Sequence, residues 1–476
     1  MDLNRNRTVS RRDLLKRTST GFGAFALSAL LQDSSRAGPA PGSPALGASL
    51  AERKPHFAPR AKRVIFLFMH GAPSHVDTFD YKPKLERDHG KPLPFDKPRI
   101  QFAKTGNLLK SPWKFRQYGD SGLWVSDLFP NVAQHIDDLC LINSMHTTNV
   151  IHGDAVIQLH TGSEVFARPS MGSWITYGLG TENRNLPGFI TLSPSYAHGG
   201  VSNFGSAFLP AQHQGTPIGN DKTPIKQATI RHIKNKVGTQ KLQRAQLDFL
   251  AELNRAQIDA TGPDAALEAR IASFELAFRM QTEAPEVTDI SSESKATLDL
   301  YGVTDPVTED FGRQCLLARR FSERGVRFLQ CSHSYRWDQH SELRKGHGKN
   351  AKEVDKPIAG LLTDLKARGL LDETLVLWGG EFGRTPTSEG GTDGRDHDPY
   401  GYTMWMAGAG IRGGMRYGAT DEYGYYAVEN KVSTHDLHAT MLALLGLDHE
   451  RLTYRYAGRD FRLTDVHGRV LHEIIT

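Results

Sequence analysis

Cysteine is scarce in this chain: Cys140, Cys315 and Cys331 are the only three in 476 residues. They are too few and too scattered for a disulfide framework, and none stands in a C-x-x-C zinc spacing, so they read as small buried hydrophobes. A concentrated basic stripe is also missing. The formal charge of +5 is small for the length and comes partly from the N-terminus, which sets nucleic acid aside as a partner. There is no internal repeat, no lipidation cysteine and no apolar run long enough to span a bilayer.

What is present begins with "SRRDLLKRTSTGFGAFALSALL". Paired Arg11 and Arg12 precede a short Ala/Gly/Leu-rich run, and small residues suited to cleavage follow in "APGSPALGASLAE". This is the pattern of a twin-arginine export signal rather than a membrane span, with Ser10, Leu14, Leu15 and Lys16 fitting it. The expectation is a signal and linker over residues 1–50, the twin-arginine machinery as a partner, and a periplasmic or otherwise exported protein with no transmembrane segment after signal removal. That route carries folded proteins and favours a bound metal or cofactor.

Past the linker, "RVIFLFM" is a continuous apolar run ended by Gly71 and Pro73, as expected of a central strand buried on both faces. Similar runs recur at 138–145, 188–193, 326–332, 374–380 and 402–408. Helical patterns separate them, among them "DLFPNVAQHI", "FGRQCLLARRFSERG" and "IAGLLTDLKARGLLDE". Strand alternating with helix predicts an α/β fold: a doubly wound, mostly parallel sheet with helices on both faces. From Ser195 to about Tyr301 no strand is predicted. Two charged amphipathic helices there suggest a helical insertion or cap within a domain covering 51–476.

In such sheets ligands gather beyond the carboxyl ends of the strands. The first strand leads into His70, His75, Asp77 and Asp80; the second into His146, Thr147, Thr148, Asn149, His152 and Asp154. The fourth leads into His333, Asp338, His340 and His347, and the fifth into Glu381, then Asp393, Arg395, Asp396, His397 and Asp398. Any one of these has a structural explanation as a hydrogen-bonded loop side chain or a helix cap, the reading preferred for Asp127 and Asp436. Their concentration on one rim points to a metal site. His and carboxylate ligands without thiolates suit Zn²⁺, Mn²⁺, Fe or Mg²⁺. Arg384 or Arg395 could neutralise a phosphate or sulfate, or simply be plain surface charge.

Through "HGAPSHVDTFDYKP", "YRWDQH", "GEFGRTP", "GRDHDPYGY" and "DLHATMLALLGL", the chain resembles, over nearly its whole mature length, the bacterial proteins grouped as domain of unknown function family 1501. More distantly it is similar to the alkaline phosphatase superfamily of phosphatases, sulfatases and phosphoglycerate mutases, which carry a two-metal site on a doubly wound sheet. That resemblance implies one or two divalent metal ions and a small-molecule or glycan-linked ester substrate. It puts His70 in the place of a metal-binding Asp. It matches Asp338 and His340 of "WDQH", with His347 as a substitute for either, Glu381 of "GEFG" and His397 of "DHDPYG" to metal ligands. Phe382 stands where a His is expected.

The superfamily's nucleophile, counted back from Gly162 of "LHTG", falls on His152. His152 then either attacks phosphorus itself, serves as a metal ligand, or leaves the hydroxyl role to Thr147 or Thr148. The ligand role ranks first, because imidazole replaces a ligand more readily than an alkoxide. No "C/S-x-P-S-R" context is present, which disfavours conventional sulfatase chemistry. The expectation is a metal-dependent hydrolase of phosphate or related, possibly sulfate, esters. Asp338, His340 and His397 would hold one ion, and His70, His152 and Glu381 the second position. The alternative is a catalytically silent, metal-containing binding or surface-assembly protein on the same fold; a mutase or transferase with a clamp from the insertion is a third reading.

Overall fold

The structure, a computed structural model, describes residues 50–96, 104–230, 233, 238–262, 264–391 and 393–476; the expected export signal lies outside them. Nine strands form the main sheet: β1 (Arg63–Met69), β2 (Leu139–His146), β3 (Phe189–Leu192), β4 (Thr216–Ile218), β5 (Phe328–His333), β6 (Thr374–Gly379), β7 (Tyr402–Ala407), β8 (Met415–Tyr417) and β9 (Val432–Ser433). Their spatial order is β8-β2-β7-β6-β1-β5-β3-β4, with β9 also paired to β2. The principal helices are α1 (His152–Thr161), α2 (Met171–Leu179), α3 (Gln240–Thr261), α4 (Ala265–Thr288), α5 (Glu309–Glu323), α6 (Leu343–Ala367) and α7 (Thr434–Leu444).

β1 is central because its sequence can be buried on both faces. Side chains alternate across a strand, so Ile65, Leu67 and Met69 join one core cluster with residues of α4, α5 and α6, while Val64, Phe66 and Phe68 join another with residues of α1, α2 and α7. Burying each such side chain contributes about 1.5–3 kcal/mol. β1 runs parallel to both β5 and β6. The expected doubly wound, mostly parallel α/β architecture is the one observed.

β7 is the exception, antiparallel to both β6 and β2. No helix crosses over between β6 and β7, so the chain turns back along the same edge of the layer. The intervening loop folds on itself as a two-residue ribbon in which Gly383–Arg384 pairs with His397–Asp398. β7 therefore starts where the parallel strands end, and this brings His397 to their rim.

Three local expectations need correction. "DLFPNVAQHI" forms a 3-10 segment, Val132–Asp138, and Asp127 does not cap it. The carboxylate comes from Asp355 of α6, which accepts from the backbone N–H of Asn131 at 3.0 Å and of Val132 at 2.8 Å. The stretch from 195 to 301 does contain a strand, β4, paired parallel to β3 at the sheet edge. Its helices pack on the domain core: Met280, Ala284 and Val287 of α4 are buried in the main cluster, and α3 is tied to α4 by Arg244 and Glu275 at 2.6 Å. Asp436 does cap, completing a reciprocal box with Ser433 at the start of α7. All three cysteines are free and buried. No helix among the described residues is long and apolar enough to cross a membrane.

Candidate metal centre

The carboxyl ends of β1, β5 and β6, the start of α1 and the approach to β7 meet on one rim. Close backbone packing sets their spacing. Gly71 has φ +105°, and a Cβ there would lie 2.8 Å from Trp337 N and 2.9 Å from Asp338 N, so only glycine lets the β1 tip approach the loop bearing Asp338. Gly394 meets the carbonyl of His340 in the same way, which draws the His397 loop against the same segment.

Asp338 is the hub. Its Oδ1 lies 2.6 Å from Arg384 Nη2, 2.9 Å from His340 Nε2, 3.1 Å from His152 Nε2 and 3.3 Å from His397 Nε2. Its Oδ2 accepts from the Tyr335 hydroxyl at 2.6 Å. Each imidazole is braced from behind through Nδ1: His152 by Glu381 Oε1 at 2.6 Å, His397 by the Val150 carbonyl at 2.6 Å, and His340 by the Glu389 carboxylate. Since carboxylates and carbonyls accept, Nδ1 carries the proton in each ring and Nε2 faces Asp338. Histidines that bind metals are braced in this way.

Burial alone would raise the Asp338 pKa, yet hydrogen bonds from His152 and His340 and the Arg384 charge hold it far below the usual carboxylate range. Burial lowers His152, but Asp338 and Glu381 outweigh it and leave the ring above the ordinary imidazole value. The Asp338 hydrogen bond raises His340. His397 goes the other way, pushed down by burial to about 4. It is neutral near pH 7, so with Nδ1–H committed to Val150 its Nε2 lone pair faces a carboxylate oxygen across 3.3 Å. Two acceptors so placed call for a cation between them.

The spacing fits one. Two donor atoms each about 2.1 Å from a shared ion stand roughly 3.0–3.4 Å apart at octahedral or tetrahedral angles, which matches the separations of His152 and His397 from Asp338. His152, Asp338 and His397 form one group able to hold a metal, and His340, Asp396 and His397 form another. The nitrogen and oxygen donors suit a borderline or hard divalent cation.

The centre forms the wall of an open cleft of about 400 Å³. Ile151, His198, Tyr335 and Glu389 line it together with His152, Asp338, His340 and His397. No serine, threonine or cysteine is among these lining residues.

Several expected site residues sit elsewhere. Thr148 is exposed, bonded to the Glu164 carboxylate and to Gln158 at 3.3 Å, and does not line the cleft. Arg395 is fully buried and spends its guanidinium on Asp77 at 2.7 and 3.1 Å and on the carbonyls of Thr385 and Leu109, so it cannot meet a substrate. Arg384 is equally buried, behind Asp338 rather than in the cleft. His70 turns Nε2 to His198 Nδ1 at 3.1 Å and stacks on Phe68 at 5.3 Å, outside both ligand groups. Glu381, whose pKa falls to about 2 because the His152 bond and charge outweigh burial, braces His152 and accepts from Gly71 N at 2.9 Å. The division into two expected ligand sets is therefore not the observed one: His152 groups with Asp338 and His397.

His347 is no substitute ligand. It is buried and accepts from Ser74 N at 2.9 Å. His75 holds the Gly424 carbonyl at 2.7 Å, and Asp80 pairs with Lys82 at 3.0 Å. Phe382 packs its ring 4.7 Å from both His152 and His397.

His198, Tyr335 and Glu389 were missed. His198 lies just past the end of β3, in "SPSYAHGG", the same place relative to its strand as the ligand-type residues after β1, β5 and β6. Tyr335 lies in the "YRWDQH" block, whereas nothing in the sequence marks Glu389 as the partner of His340.

Sheet order and site together define a doubly wound α/β protein with a His and carboxylate centre at its strand ends. The chain belongs to the family described as "Protein of unknown function (DUF1501)", whose model matches residues 61–475. Comparison with curated proteins gives no match. Among solved structures the chain is similar to the lipoteichoic acid synthase LtaP from Listeria monocytogenes, at 9% identity and a TM-score of 0.38, covering 88% of this chain and 78% of that one. It is similar to the alkaline phosphatase from the Antarctic bacterium TAB5, at 9% identity and a TM-score of 0.35, covering 82% and 99%. A third likeness is the PsFucS1 sulfatase from Pseudoalteromonas sp., at 12% identity and a TM-score of 0.34, covering 84% and 69%. Likeness at this level carries no argument about activity.

Proposed function

We propose that the chain is an exported, metal-dependent hydrolase of phosphate or related esters, with the ion held by His152, Asp338 and His397 and with His340 beside it. One observation carries the reading: three imidazoles, each braced through Nδ1, turn Nε2 onto Asp338 at the wall of an open cleft. A divalent cation bound there would supply Lewis acidity, polarising an ester oxygen and lowering the pKa of a water.

The chain's own groups account for the rest. Glu381 and Val150 fix which nitrogen of His152 and of His397 faces the centre, and Arg384 fixes Asp338. His198 stands at the cleft, where it can bind an ester oxygen, while the Tyr335 hydroxyl is spent on Asp338. With no serine, threonine or cysteine lining it, attack falls to water rather than to a protein alkoxide. Export rests on the Arg11 and Arg12 pattern.

The same lack of a nucleophilic side chain, with Phe382 packed against two of the imidazoles, favours a second reading: a silent metal-containing binding or assembly protein. Metal analysis of protein purified without chelators, combined with a panel of phosphate monoester, diester and sulfate ester substrates, separates the two. Stoichiometric metal with hydrolysis that is lost in His397→Ala supports the enzyme. Metal without turnover supports the binder, and absence of metal sinks both.

A further inference from the structure

Arg384 fixes Asp338, yet a fully buried guanidinium on a metal-binding carboxylate serves neither substrate nor leaving group. We propose that Arg384 is a fixed, protein-borne cation standing in for a second metal ion, so that the centre holds a single ion. The inference rests on the metal-dependent reading above.

The position of Arg384 is fully determined by its bonds. Nη2 lies 2.6 Å from Asp338 Oδ1 and also donates to the Gly71 carbonyl; Nε donates to the Ala72 carbonyl at 3.1 Å and Nη1 to the Arg395 carbonyl at 3.3 Å. The guanidinium is thus clamped against the backbone just past the tip of β1. So held, it cannot leave. A divalent ion entering the same pocket would meet a buried like charge in a medium that screens it poorly.

The residues that could have formed a second position have other commitments. Glu381 accepts from Gly71 N through both oxygens, at 2.9 and 3.2 Å, and from His152 Nδ1 at 2.6 Å. His70 points Nε2 at His198 rather than at Glu381, and its Nδ1 is buried without a hydrogen-bond partner among the described residues, outside both ligand groups.

A second, independent constraint comes from His397. The two groups able to hold a metal, one with His152 and Asp338 and the other with His340 and Asp396, both require His397. Its Nδ1 is committed to the Val150 carbonyl at 2.6 Å, so Nε2 is the one ring nitrogen that can ligate, and one lone pair serves one ion. The two groups are alternatives, not a pair.

The test is stoichiometry, read without any assay of turnover. The full chain is stripped with chelator, dialysed against excess Zn²⁺ or Mn²⁺, and counted by native mass spectrometry and elemental analysis. One ion per chain is expected, and two would overturn the inference. No ion at all would remove the metal-dependent reading, and this inference with it.

Arg384→Gln and Arg384→Lys then address the cause. The lysine variant keeps the charge and is expected to hold one ion; the glutamine variant is expected to admit a second at the vacated guanidinium place, against Asp338 and the Gly71 and Ala72 carbonyls and without drawing on His397. A glutamine variant that melts as a folded protein and still binds one ion overturns the role given to the guanidinium. Should the glutamine variant fail to fold, the wild-type count and the lysine variant decide: two ions in either overturns the proposal.

Discussion

Nδ1 of His152 lies 2.6 Å from Oε1 of Glu381, and the two side chains are buried. This contact joins the first turn of α1 to the end of β6 and aims the opposite nitrogen of the ring at Asp338. Glu381 thereby acts through His152 rather than on an ion.

Replacing Glu381 by Gln weakens that brace while keeping the shape. Metal affinity is expected to fall about 10–100-fold, measured by competition with a chromogenic chelator. Affinity within twofold of wild type would show that the ring needs no carboxylate behind it.

The pH behaviour should reverse with metal. His152 and His340 have raised pKa values in the metal-free fold. Their stabilising charge is fully present below the ordinary imidazole value of 6.5 and is lost as pH rises through the raised values, so chelated protein should melt at lower temperature as pH climbs above 6.5. A metal needs the unprotonated nitrogens, so loaded protein should gain stability over the same range and release protons on binding. Calorimetry in buffers of different ionisation enthalpy checks this, and uptake without proton release contradicts it. At the acid end, the lowered pKa of Asp338 means its contribution is lost as pH falls below its ordinary value of 3.8.

Arg395 and Asp77 form a wholly buried ion pair that ties the His397 loop to the segment after β1. Arg395→Met strands a buried carboxylate and should cost about 3–5 kcal/mol in urea unfolding. A cost under about 1 kcal/mol would remove its structural role.

Gly71→Ala should be disruptive despite its size, because the new Cβ meets backbone nitrogens of Trp337 and Asp338 that have no room to yield. Strain of about 1–3 kcal/mol is expected, together with weaker metal binding as Asp338 shifts. Loss of stability without loss of affinity would separate the turn from the centre.

Thr148→Ala, by contrast, should leave metal content and hydrolysis unaltered and change stability by no more than about 0.5 kcal/mol. A collapse in turnover with metal retained would return Thr148 to the reaction.

The composition of each segment decided a great deal about this protein. Continuous apolar runs made β1, β5 and β6 buried parallel strands, and the order of strand and helix placed their polar extensions on one rim, so Asp338, His340, His397 and His152 could be found from sequence. Tertiary structure alone decided which of these meet and what stands behind them. Asp355 caps a segment 224 residues distant, Glu389 backs His340 across a hairpin, and Arg384 and Arg395 are drawn inward to Asp338 and Asp77 although arginine is ordinarily a surface residue. Periodicity reports which way a side chain faces along its own element. A hydrogen-bond partner from another element depends on how closely two backbones approach, and here that is set by glycines such as Gly71 and by the reversal of β7, neither of which is visible in a local pattern.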